Sequence, residues 1–134
     1  MGIESKIKLI PRKKLEDSRG WFLKVITGLE DNLPGYTGEV YLTNAIPGEA
    51  KGGHYHPQAN EWFTLITGDC KVKLVDILTG EKLTLDLSSS EPQTLYVPNN
   101  IAHIFINDTI EPFILLAYSD QLYHPDDTIL FTDF

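Results

Sequence analysis

Cysteine is almost absent from the 134-residue chain: Cys70 stands alone, so neither an intrachain disulfide nor a multi-cysteine zinc ribbon can form. Positive charge is also scarce. Eleven Lys and Arg face 19 Asp and Glu for a net charge of −8, which argues against a general nucleic-acid or anionic-membrane binder, because phosphate surfaces attract the opposite sign. Long apolar runs are missing too. Stretches such as Phe113 to Tyr118 have the length of a strand, far short of the roughly 20 residues a membrane span needs. The start, Met1-Gly2-Ile3-Glu4-Ser5-Lys6, lacks the apolar core of a secretory signal, so the expectation is a soluble cytoplasmic protein. No window of about a dozen residues carries a convincing amphipathic helix.

Enough apolar material remains for a core: 42% of residues are hydrophobic and 22% charged, ordinary proportions for one globular domain of this length. The patterning is nearly all period two. Lys71 to Asp76 and Lys82 to Leu87 alternate around a turn at Leu78-Thr79-Gly80-Glu81, which predicts a hairpin. Further short β-rich runs cover Glu39 to Thr43, Trp62 to Thr67, Thr94 to Val97, His103 to Ile106 and Phe113 to Tyr118, separated by Gly, Pro, Asn and Asp. Many short strands at near-regular spacing predict an all-β sandwich or barrel, of jelly-roll type, forming a single domain over 1–134. Phe63 reads as core by its place in the alternation, and Cys70 as a small buried hydrophobe.

The first 35 or so residues differ in character. They hold Lys6, Lys8, Arg12, Lys13, Lys14, Arg19 and Lys24, seven of the eleven basic residues. This arm is either a solvated surface or a source of cations for a ligand or a partner subunit.

The chemistry concentrates between Gly48 and Gly68. On a strand, positions i and i+2 share a face, so His54 and His56 project to one side while Tyr55 faces the other. After a turn at Pro57 to Asn60, Glu61 can bring a carboxylate to the same side, and His103 opens a later strand with a third imidazole. Such a set suits a divalent Zn, Fe, Mn, Ni or Co ion. The spacing Gly48-x5-His54-x-His56-x4-Glu61-x6-Gly68 resembles the first cupin motif throughout. Pro98-x-Asn100-x2-His103-x3-Asn107 resembles the second, with Asn100 where the family usually has Gly and Pro92 at the position of the preceding Gly. Asn tolerates positive φ well enough for such a turn. The resemblance implies the cupin-type double-stranded β-helix, with His54, His56, Glu61 and His103 as its metal ligands.

Flanking stretches resemble a narrower group. Asp17-Ser18-Arg19-Gly20-Trp21-Phe22, Lys51-Gly52-Gly53-His54, Tyr96-Val97-Pro98 and Tyr118 to Pro125 are similar to stretches of the dTDP-4-keto-6-deoxy-hexose 3,5-epimerases and the related sugar 3,4-ketoisomerases. This likeness implies His54 as the base that removes the proton beside the ketone. It also implies Arg19 and Lys51 on a nucleotide diphosphate, Phe22 beside the nucleotide, and Tyr118 or Tyr123 as the acid. Two departures, Glu61 for an active-site lysine and His56 for an apolar or amide residue, restore a metal site. They make the chain resemble the zinc-binding cupin domain fused to reductases of capsular sugar synthesis.

The expected activity is therefore epimerisation or isomerisation of a nucleotide-linked 4-keto sugar in surface polysaccharide or deoxysugar biosynthesis. The expected cofactor is a divalent metal with no organic group, and the expected assembly a homodimer in which the arm joins the ligand site. His54 cannot be a tight metal ligand and a free base at once, because both roles use an imidazole lone pair. A metal-dependent oxygenase and a non-catalytic sugar-binding cupin remain the alternatives.

Overall fold

The computed structural model describes residues 2–35 and 38–134. Twelve strands and two short 3₁₀ turns make up its regular structure. One five-stranded antiparallel sheet runs in the order β1 (Lys8–Pro11), β9 (Gln93–Val97), β6 (Glu61–Thr67), β11 (Phe113–Ser119), β4 (Glu39–Ala45). A second runs β12 (Ile129–Leu130), β5 (Ala50–Tyr55), β10 (Ile101–Ile106), β7 (Asp69–Asp76), β8 (Lys82–Ser88). Their inward faces share one core, with Phe63, Leu65, Leu95 and Leu115 from the first sheet and Val72, Leu74, Ile101 and Phe105 from the second. This is the anticipated jelly roll. The β7–β8 hairpin forms in register from Asp69↔Ser88 to Val75↔Lys82. Cys70 is buried, and burial, with Asp69 and other acids nearby, pushes its thiol up to about 12.

The two seams between the sheets differ. Where β1 and β8 form the edges, the N-terminal 3₁₀ turn at Ile3–Ser5 plugs the gap: Ile3 and Ile7 enter the core, the Ile3 amide donates to Glu81 Oε1 at 3.0 Å, and Lys6 pairs with Asp76 at 2.6 Å. On the opposite side, β4 meets β5, and a cavity lined by residues of both opens there.

The arm is more structured than its sequence suggested. After β1 pairs with β9, a separate hairpin of β2 (Lys14–Asp17) and β3 (Gly20–Leu23) follows. It leaves the barrel beside Pro92 and Ser89, which accept from the Arg12 amide and Lys14 Nζ. Three of the arm's seven cations are paired locally: Lys8 with Asp31, Arg12 with Glu30, Arg19 with Asp17. Lys14 lies 4.7 Å over the Trp21 ring.

Candidate functional site

Three imidazoles converge at the open seam. His103 pairs with His54 across β10 and β5, and His56 follows at the end of β5. Ring centroids lie 4.8 Å apart for His54 and His56, 4.9 Å for His54 and His103, and 5.6 Å for His56 and His103. One nitrogen of each falls within 4.8 Å of the others. Glu61, at the start of β6, supplies the buried carboxylate: its Oε1 is 2.9 Å from His56 Nε2 and 3.5 Å from His103 Nε2.

Local chemistry fixes this geometry. Pairing passes from His103↔His54 to Ile104↔Gly52, so one residue of β5 bulges, and Gly52 and Gly53 take φ of 93° and 81° there. Asn100 adopts φ 64°, as its replacement of a glycine requires, and its amide donates to the His56 carbonyl at 2.9 Å. The Pro57 to Asn60 turn is held from outside. Asp120 accepts from the Asn60 amide and side chain, each at 2.9 Å, and the Asn99 amide and Nδ2 donate to Asn60 Oδ1 and the Pro57 carbonyl.

Tautomers follow from the acceptors. His56 Nδ1 lies 2.8 Å from the Asp127 carbonyl and His103 Nδ1 3.1 Å from the Ile101 carbonyl. A carbonyl only accepts, so both Nδ1 atoms carry hydrogen, and in the neutral rings both Nε2 lone pairs point toward Glu61. The 2.9 Å approach of His56 Nε2 to Glu61 Oε1 is not aligned as a hydrogen bond, and both atoms are buried without a hydrogen-bond partner among the described residues. Two electron-rich buried atoms facing one another are satisfied by a proton or a cation. Imidazole nitrogens beside a carboxylate fit a divalent first-row ion, and backbone-bonded Nδ1–H groups are the usual outer support of such ligands.

His54 differs from its neighbours. Its imidazole makes no hydrogen bond to the described residues, and it packs against the rings of His56 and His103. Burial, reinforced by the other two imidazoles, pulls its pKa down to about 4, so it is neutral with an available lone pair. Burial likewise lowers His103. For His56 burial is outweighed by the Glu61 carboxylate, which raises it, and for Glu61 the histidines outweigh burial and lower it.

A cavity of about 270 Å³ opens over this cluster, lined by His54, His56 and Glu61 and by Tyr123 and other residues of the 119–128 segment. Tyr41 is the residue that sequence reasoning missed. Its hydroxyl donates to Glu61 Oε2 at 3.2 Å. Burial, then Glu61 and Glu39, hold its pKa above the ordinary phenol value. It lines both this cavity and a recess of about 120 Å³ that reaches Lys51 on the other side of His54. Lys51 is thus brought near the cluster, and exposed Tyr123 stands at its rim. Tyr118 is not brought there. It is opposite Trp62 in the register and stacks on that ring at 5.3 Å on the outer face of the sheet, whereas its neighbour Ser119 lines the cavity. Arg19 and Phe22 also lie elsewhere, around a separate recess on the β2–β3 hairpin. That hairpin leaves near Gln93, at the end of β9 away from Val97, which is the residue that pairs with Glu61.

Solved structures share the fold. A dTDP sugar isomerase from Desulfovibrio desulfuricans G20 superposes with TM-score 0.83 at 17% identity, covering 94% of this chain and 83% of that one. A dTDP-6-deoxy-D-glucose-3,5-epimerase from Legionella pneumophila, in complex with dTDP-4-keto-L-rhamnose, gives TM-score 0.83 at 18% identity over 97% of this chain and 75% of that one. Among curated proteins, a UDP-2-acetamido-2,6-beta-L-arabino-hexul-4-ose reductase of Pseudomonas aeruginosa is 22% identical over 107 residues, 80% of this chain. The chain spans only 27% of that relative's length. The model of the polysaccharide biosynthesis C-terminal domain matches residues 15–129, and the chain belongs to that family.

Proposed function

We propose that the protein is an isomerase of nucleotide-linked 4-keto sugars, breaking and remaking a C–H bond beside the ketone. The observation that carries this reading is the unbonded, neutral imidazole of His54 between two imidazoles whose Nδ1–H groups are tied to carbonyls. Proton abstraction next to a ketone leaves negative charge on the oxygen, so it needs a base and something to stabilise that charge. In this reading His54 takes the proton, a step worth about 10²–10⁴-fold, while His56, Glu61 and His103 hold a divalent cation. A cation bound there supplies Lewis acidity for the ketone oxygen, worth several kcal/mol at a developing enolate. Assigning His54 to the base separates the two roles that compete for its lone pair. Tyr41 takes the part of proton donor in place of Tyr118, because its hydroxyl is beside the cluster, with Tyr123 at the rim over the sugar.

The substrate class follows from what the related proteins act on, UDP- and dTDP-linked keto sugars, and from Lys51 at the far end of the recess, where a phosphate would find its cation. The enclosed space of about 270 and 120 Å³ is small for such a ligand, since sites for drug-sized molecules span about 300–1,000 Å³. A homodimer would enlarge it. The free edge of β4 exposes Val40 at 60% and Leu42 at 65%, and the hairpin exposes Leu15, Trp21 and Phe22 at about half; an edge and an apolar hairpin of this kind call for a cover. In a dimer the hairpin would bring Arg19 and Phe22 to the partner's cavity. No helix among the described residues is long and apolar enough to cross a membrane.

The test is deuterium incorporation at carbons flanking the ketone of dTDP- and UDP-linked 4-keto-6-deoxy hexoses, followed by NMR in heavy water with zinc-loaded protein. Wild type exchanges, His54→Asn does not, and Tyr41→Phe slows reprotonation by about 10²-fold. Folded, zinc-loaded wild type that exchanges none of these sugars would sink the reading.

A further inference from the structure

We propose that Asp127 is a positioning residue: it sets which nitrogen of His56 faces the site. The inference rests on the reading of His56 as a ligand, but its primary readout does not. Asp127 grips the chain on both sides of Pro57. Its carbonyl accepts His56 Nδ1–H at 2.8 Å, while its carboxylate accepts the Gln58 amide at 2.7 Å and the Ala59 amide at 3.0 Å. The side chain therefore holds its own carbonyl against His56. No cation pairs with this carboxylate among the described residues; the adjacent Asp126 points outward, 92% exposed.

The segment that carries Asp127 is built to deliver it. Pro125–Asp127 forms a 3₁₀ turn capped by His124, whose Nδ1 accepts the Asp126 amide. Directly afterwards β12 pairs with Tyr55 and His54, and the Phe131 amide donates to the Gly53 carbonyl at 2.9 Å. The strap thus follows β5 antiparallel from His56 back to Gly53, and the Asp127 side chain anchors it to the turn that follows β5. Nothing in the spacing of the histidines requires such an anchor, which lies 71 residues from His56.

Its effect is on a competition between two tautomers. With Nδ1–H bonded to Asp127, the Nε2 lone pair is presented to the site. Released from that carbonyl, the ring can carry its hydrogen on Nε2 instead, 2.9 Å from Glu61 Oε1. A hydrogen bond made there would occupy both atoms and close them to a cation. Outer contacts of this kind govern ligand orientation, and their loss costs about 10–100-fold in metal affinity.

Long-range ¹H–¹⁵N correlation of the metal-free protein at pH 8 reads the tautomer directly. The proposal requires Nδ1–H for His56 in the wild type, a shift toward Nε2–H or averaging in Asp127→Ala, and a smaller change in Asp127→Asn, whose amide oxygen can still accept one of the two amides. Asp126→Ala should match the wild type. Zinc affinity, by competition with a chromophoric chelator, should fall about 10–100-fold in Asp127→Ala and stay constant in Asp126→Ala, with the Trp62 indole signal reporting that the barrel is intact. An Nε2–H wild type, or a wild-type nitrogen pattern in both Asp127 variants, overturns the proposal. If the wild type fails to bind zinc while the tautomer still follows Asp127, the positioning role stands and the metal reading fails.

Discussion

Replacing Glu61 with Gln is the sharpest perturbation of the cluster, because it removes one charge and almost no volume. The carboxylate is 3% exposed, and both oxygens face named groups: Oε1 the Nε2 atoms of His56 and His103, Oε2 the Tyr41 hydroxyl. A glutamine amide oxygen still accepts from Tyr41, and its NH₂ can donate to the His56 Nε2 lone pair. The metal-free variant should therefore stay within about 1 kcal/mol of wild type, since a neutral hydrogen bond contributes about that much. With zinc the two part company. Loss of an anionic ligand should cost at least the 100-fold at the upper end for outer contacts, or about 2.7 kcal/mol. Saturating ligand stabilises the folded state in proportion to the logarithm of its affinity. For 134 residues the unfolding entropy near the midpoint is about 0.3 kcal/mol/K, so the zinc-induced rise in Tm should be smaller by about 10 °C in Glu61→Gln. Thermal melts with chelator and with saturating zinc measure both quantities. Equal zinc-induced shifts in the two proteins would refute the assignment of Glu61 as a ligand.

Two further outcomes test the framework around the site. Gly52→Ala should cost about 3 kcal/mol in urea denaturation, because at φ 93° a Cβ would lie 2.8 Å from the His103 carbonyl oxygen. Gly48→Ala, at φ 87° with open space around it, should cost only about 1; equal losses would show that the contact is irrelevant. Glu30 should make stability acid-sensitive. Burial would raise its pKa, but hydrogen bonds from Thr27 and Arg12 hold it down to about 2 against an ordinary 4.5. Its contribution, on the order of 2 kcal/mol after screening, is complete above pH 4.5 and lost as the pH falls toward 2. Melts of wild type and Glu30→Gln should accordingly converge at the acid end.

The barrel strands and the His54–His56 pair were legible in the sequence because both depend on short-range rules. Alternation marks a half-buried strand wherever it occurs, and His54 and His56 share a face by spacing alone. Asn100 could be read as a left-handed turn residue for the same reason. Tyr41 could not be read this way, since its face depends on register between distant strands. Ala117 is opposite Tyr41 on one side and Phe63 on the other, and all three face inward. Tyr118, one position along, is opposite Val40 and Trp62 and must face out. A motif that ends in a tyrosine on β11 therefore points to the right strand and the wrong face. The arm shows the same limit in another form: its charge was visible, but the acids that neutralise it, Asp31, Glu30 and Asp17, were neighbours whose pairing only the folded chain defines. Because Arg19 and Phe22 leave the barrel at the end remote from Glu61, residues that resemble one ligand site in sequence lie in two places on one chain. In the proposed dimer one copy's hairpin would meet the other copy's cavity, so a dissociated monomer that still exchanged the sugar at full rate would separate Arg19 and Phe22 from the site.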